Sequence, residues 1–286
     1  MSDSGSSHGL MARHPVASFI TLAYLLAWIC WVPLLADRQD WVDWSASPYL
    51  HLVGALSPAA AGLIVTAAVR AGEGVRGMLR ACIAWRGRLG WLALAALGPL
   101  VLFGVAVVAA RVLKGAWPGL HDFGASTEYA AMPIAIYWGA TLLFYGYGEE
   151  IGWRGFLQPW LQRRHSALTA AVAVSAVWAL WHLPLFGITP TYRAMPAVGF
   201  VGFYLSLLVG ALILAWLFIA SRGSILVVAV FHAVFDIAAN TPTSTQLIPT
   251  LMGAAVTIAG LATVPYLARA RATDTGVPVR PRGGHD

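Results

Sequence analysis

The 286-residue chain is 59% hydrophobic and only 10% charged, with mean hydropathy +0.71 and 13 tryptophans, a balance that excludes an ordinary soluble domain and identifies a polytopic membrane protein. Its formal charge of +6 does not mark a nucleic-acid binder, because every basic residue but Lys114 is an arginine and most fall in short segments between apolar runs, where they report topology. With only Cys30 and Cys82, neither a disulfide framework nor a cysteine metal site is expected.

Taken in order, residues 1–14 are polar and are expected to be a disordered cytoplasmic segment. The apolar run that follows has no small-residue cleavage site and reads as a retained anchor. Apolar runs suited to crossing a bilayer occur at about 16–36, 49–69, 91–110, 133–162, 167–187, 196–219, 224–240 and 246–267, so the fold is expected to be all-α, a transmembrane bundle of about eight helices over 15–268. Between the second and third runs, residues 72–90 repeat Arg among Gly, Leu, Ile and Trp. That pattern suits either a short helix on the inner leaflet or a solvated basic loop. Residues 269–286 are expected to be a disordered tail. With the amino terminus inside, 13 of the 18 basic residues face the cytoplasm, which places both termini there and the chain in the cell membrane.

Among all titratable groups, only Glu149, Glu150, Arg154, His182, His232 and Asp236 fall well inside these runs. A charge near the bilayer centre costs roughly 2.5–3.5 kcal/mol even on lenient scales, so each of these residues needs a partner or a role. Glu150 and Arg154 are spaced i,i+4 and can pair on one helical face, leaving Glu149, rotated about 100° away, free. His232 and Asp236 share the same spacing, as do Trp178 and His182. Counting about 1.5 Å per residue from the turn near His165 places Glu149 and His182 at one level, with His232 shallower. Glycines 146, 148, 152 and 155 thin the same helix for close packing and are given no chemical role.

A carboxylate and an imidazole sharing a water in an apolar cavity can perform general-base hydrolysis of an amide, with donors on another helix stabilising the oxyanion. Glu-Glu-x-x-x-Arg at 149–154, an aromatic four residues before His at 178–182, and His-x-x-x-Asp at 232–236 resemble, in this order, the CPBP family of CAAX proteases and bacteriocin-processing enzymes, with a motif core over 130–240. The resemblance implies an intramembrane endopeptidase of the type II CAAX kind, opening to the cytoplasm and acting on a membrane-associated peptide or protein. It implies that Glu149 activates water with His182, that Glu150 pairs with Arg154, and that His232 and Asp236 line the oxyanion side. Two departures stand out: Trp178 where the second motif usually begins with Phe, and Asp236 where the third often ends in Asn. Zinc bound by the glutamates and histidines is the alternative, although no His-Glu-x-x-His helix is present; a metal-free glutamate mechanism is favoured because Glu150 is committed to Arg154 and the remaining set lacks a tight triad. The rival functions are a proton-coupled transporter, since Glu, His and Asp also form relays, and a non-enzymatic membrane immunity or scaffold protein.

Overall fold

A computed structural model describes residues 4–193, 195–243 and 246–270. Every described element is helical, and each of the eight apolar runs forms a helix. Six helical stretches are long and apolar enough to cross a membrane. The helices are α1 (Ser4–Arg13), α2 (Pro15–Arg38), α3 (Tyr49–Ala55), α4 (Ser57–Cys82), α5 (Leu89–Lys114), α6 (134–161), α7 (Ala167–Trp181), α8 (Ala197–Ala220), α9 (Ile225–Ala239) and α10 (Leu247–Arg269). Residues 4–13, expected to be disordered, are therefore helical and pack against α4. The expected disorder of 271–286 lies outside the described residues.

Sequence signals set the boundaries. Ser166 and Ser224 cap α7 and α9 by accepting the amides of Thr169 and Val227. Gly115, at φ 72°, closes α5 in the left-handed conformation open to a residue without Cβ. Within α4 the backbone breaks at Ala71 (φ 51°), dividing a buried membrane half from residues 72–82. That second half and the turn after it expose Leu79, Ile83 and Trp85 beside Arg76 and Arg80, as an interfacial helix requires. Of the two readings of this stretch, the helix is the one formed.

The bundle is built around α6. This helix runs as α from Ile134 to Ala140, π over Thr141–Tyr147, α over Gly148–Gly152, π over Trp153–Leu157, and α again over Gln158–Leu161. Its glycines are where neighbouring backbones come closest: a Cβ on Gly146 would lie 2.6 Å from the Ala229 carbonyl oxygen, and one on Gly148 2.8 Å from that of Ala55. The packing role assigned to these residues is thus met on two sides, by α9 and by α3 and α4. Around it the core is aromatic, with Trp31, Trp153, Trp181, Phe19 and Phe218 fully enclosed, whereas Trp41 and Trp44 remain exposed near one end as interfacial anchors.

Candidate active site

The α-helical turn Gly148–Gly152, bracketed by two π segments, carries both glutamates into the bundle interior. Glu150 and Arg154 are fully buried, and Arg154 Nη1 donates to Glu150 Oε1 at 2.9 Å, so the i,i+4 pair forms as the spacing suggests. The same oxygen accepts from His232 Nδ1 at 2.8 Å, which ties α6 to α9 through one carboxylate. That contact was not legible from residue counting, which placed His232 shallower. A π-turn takes up more residues per turn than an α-turn, so counting at the α-helical rise overstates the depth along α6.

Glu149 is not free. Its Oε2 accepts the indole N–H of Trp178 at 2.5 Å and that of Trp153 at 3.3 Å. The Trp178 ring also lies under the Arg154 guanidinium at 5.2 Å and edge-on to His232 at 5.5 Å, so one side chain touches three members of the site. His182 caps α7 and donates Nδ1–H to the Trp178 carbonyl at 2.8 Å, leaving Nε2 as an acceptor. Asp236 is partly exposed, and its Oδ2 lies 3.5 Å from His232 Nε2, an ion-pair distance and too long for a good hydrogen bond. All six candidate residues therefore lie in one region. Glu149, His182, His232 and Asp236 line a cavity of about 600 Å³, while Glu150 and Arg154 lie behind them.

The cavity holds a second cluster that the sequence did not reveal. His51 Nδ1 pairs with Glu128 Oε1 at 2.7 Å, and the Tyr129 hydroxyl bridges His51 and Tyr145 at 3.3 and 3.1 Å. These residues come from three separate segments with no shared periodicity, and only the fold unites them. Along α8 and α10 the cavity wall includes exposed Ser206, Gly253 and Thr257, so the cavity is open beside those helices. Residues 126–129, Thr189, Pro190 and Asn240, at the end of the bundle away from the arginine-rich segments, also line it.

Metal binding fits the arrangement poorly. Glu150 Oε1 and His232 Nδ1 are committed to each other, His182 Nδ1 is committed to a carbonyl, and among the described residues no three His, Cys, Asp or Glu side chains converge as ligands.

Residues 130–238, which contain all six candidates, match the family model described as Type II CAAX prenyl endopeptidase Rce1-like. This segment of the chain is therefore similar to the CPBP family that its motifs resemble. Over 119 residues it is also 29% identical to a CAAX prenyl protease 2 of Methanococcus maripaludis, a match taking in 40% of this chain and 42% of that protein. The chain thus aligns with about two fifths of the length of this curated relative. The matched segment includes the whole of α6, α7 and most of α9, which are the helices that carry the Glu149, His182 and His232 motifs.

Proposed function

We propose that this protein is an intramembrane endopeptidase in which Glu149 activates a water for attack on a peptide carbonyl. The observation that supports this best is the state of Glu149. Its carboxylate faces a large cavity inside an apolar bundle and is fixed through one oxygen by two indole donors, which leaves the other oxygen for water. A carboxylate serving only as a structural counter-ion would be met by a cation, and Arg154, the one buried arginine among the described residues, is committed to Glu150.

In this reading Glu149 takes a proton from water as the oxygen bonds to the carbonyl carbon. The acceptor Nε2 of His182 holds the same water from the side of α7. The carbonyl oxygen becomes an oxyanion beside His232, whose Nε2 donates to it with the ring doubly protonated, Nδ1–H being held by Glu150. The C–N bond then breaks as that proton passes from Glu149 to the amide nitrogen, and the products are a carboxylic acid and an amine, which part as carboxylate and ammonium. Glu150, with Arg154 as its counter-ion, is a fixed negative charge beside His232 Nδ1 and orients the ring towards the cavity.

No metal takes part in these steps. The substrate is a membrane-associated protein or peptide, as the name of the Methanococcus relative and the opening beside α8 and α10 both suggest.

The test compares newly formed peptide termini in membranes carrying the wild type or Glu149→Gln at matched protein levels. Termini found only with the wild type are expected. Identical sets would instead favour transport or a non-enzymatic role.

A further inference from the structure

The two ends of the bundle differ in charge, and hydrogen bonds establish which loops belong to each. At one end, Arg88 donates to the carbonyls of Ser221 and Arg222, Ser224 donates to that of Ala84, and the Ala167 amide bonds the Ala270 carbonyl. The Trp160 ring lies near the guanidinium groups of both Arg70 and Arg163. At the other end, Gln39 bonds the Gly187 carbonyl, Gly124 bonds Thr241, and His51 pairs with Glu128.

Counted over the described residues outside the membrane interior, the first end carries ten arginines and one acidic residue, Glu73, while the second carries four basic residues and five acidic ones. In short loops so near the membrane, an excess of this size sets orientation, and the arginine-rich end is the cytoplasmic one. The cavity is lined by residues of the second end, Ser126 to Tyr129, Thr189, Pro190, Tyr192 and Asn240, and by none from the loops of the first. The cavity that Glu149 lines therefore extends to the loops of the acidic end and to none at the arginine-rich end.

We infer that the cavity takes its substrate from the extracytoplasmic side of the membrane, so that the bond cleaved lies in an exported or outward-facing part of a membrane-associated polypeptide. The word substrate rests on the peptidase reading; the side on which the cavity opens does not.

The mouth adds a constraint on chemistry. Glu128, Glu149 and Asp236 line the cavity and no Lys or Arg does, so a neutral or basic segment fits there better than one bearing a free carboxylate close to the scissile bond.

The experiment uses the full chain with Cys30→Ser and Cys82→Ser, carrying one new cysteine at Thr127→Cys or Asp43→Cys at the mouth end, or Arg86→Cys at the opposite end. Sealed spheroplasts are treated with a membrane-impermeant maleimide, before and after permeabilisation. Labelling of Thr127→Cys and Asp43→Cys in sealed spheroplasts, with Arg86→Cys reacting only after permeabilisation, is the expected result. Two mouth-end positions guard against one variant failing to fold. The reverse pattern, or equal labelling of both ends before permeabilisation, overturns the inference. The readout needs no activity, so a negative result in the Glu149→Gln comparison leaves it standing, and a cytoplasmic mouth leaves the peptidase reading standing.

Discussion

The indole N–H of Trp178 donates to Oε2 of Glu149 at 2.5 Å, across the interface of α6 and α7. The second motif of the CPBP family usually begins with Phe, which has no donor, so this departure changes how the proposed general base is held. Hydrogen bonds to a charged group are worth about 1.5–3 kcal/mol. Trp178→Phe keeps the ring beneath Arg154 and beside His232 while removing the donor, and is expected to lower kcat by roughly tenfold to a hundredfold with little change in folded protein. Trp178→Ala should lose both activity and packing. Kinetics on the two variants, read beside thermal stability in detergent, separates the donor from the ring.

Glu150 is held from two sides, by Arg154 and by His232, at zero solvent exposure. Removing one member of a buried pair leaves an uncompensated charge and costs about 3–5 kcal/mol. Arg154→Met should therefore destabilise the fold by that order. Glu150→Leu together with Arg154→Met should recover much of the stability, since an apolar pair of similar volume removes both desolvation penalties. The double variant should nevertheless remain inactive, because His232 then lacks the carboxylate that orients it. Unfolding midpoints alongside cleavage assays check both halves of the expectation.

How far the chain could be read in advance follows from the range of each interaction. The apolar runs gave most long helices to within a few residues, because hydropathy and length are local properties, but the run at 49–69 divides into α3 and α4, and α4 continues to Cys82. The Glu150–Arg154 pair was legible for the same reason, lying four residues apart on one helix. The bonds joining Glu150 to His232 and Glu149 to Trp178 span 82 and 29 residues, and no local pattern specifies them. Trp153 could have been suspected from its i,i+4 spacing to Glu149. The His51–Glu128–Tyr129 cluster could not, because two helices and a loop separate its members. Charge bias along the chain was visible, but not that loops of the end poor in arginine line the cavity, since that depends on how the chain folds around α6.

Gly152 lies against Pro58, and a Cβ there would meet the Pro58 carbonyl and ring atoms, which belong to backbone and cannot rotate away. Gly152→Ala is expected to push α4 from α6 and disturb Glu149 and Glu150 within the same turn, lowering both the yield of folded protein and its activity. Gly253→Ala is a matched control: nothing lies within 4 Å of a Cβ at that position, and its stability should be unchanged. Detergent-solubilised yield and unfolding temperature distinguish the two.

Ser224 does two things at once, capping α9 through the Val227 amide at 3.3 Å and donating to the Ala84 carbonyl at 2.9 Å. Ser224→Ala loses both bonds. It should cost about 1 kcal/mol from the cap, plus the penalty of an unpaired carbonyl on the interfacial turn. Ser224→Asp keeps the capping acceptor but cannot donate while ionised, so it should recover only the first part. Comparing the two variants in thermal unfolding divides the helix cap from the tie between α9 and the 83–88 turn.

Asp236 tests the assignment of the oxyanion side. Its Oδ2 is 3.5 Å from His232 Nε2, and its side chain is 28% exposed in the cavity, so it guides the imidazole by charge without holding it. An ionised carboxylate cannot donate to an oxyanion, whereas an amide of the same shape can. Asp236→Asn should therefore retain activity within a few-fold or raise it by supplying a donor, while Asp236→Ala, which removes the charge that guides His232 and supplies no donor, should lower kcat. If Asn and Ala instead fail equally, the negative charge itself is what His232 requires, and the oxyanion must be met by His232 alone. Steady-state kinetics of the two variants with one cleavable peptide, once the comparison of peptide termini has supplied its sequence, decides between these roles.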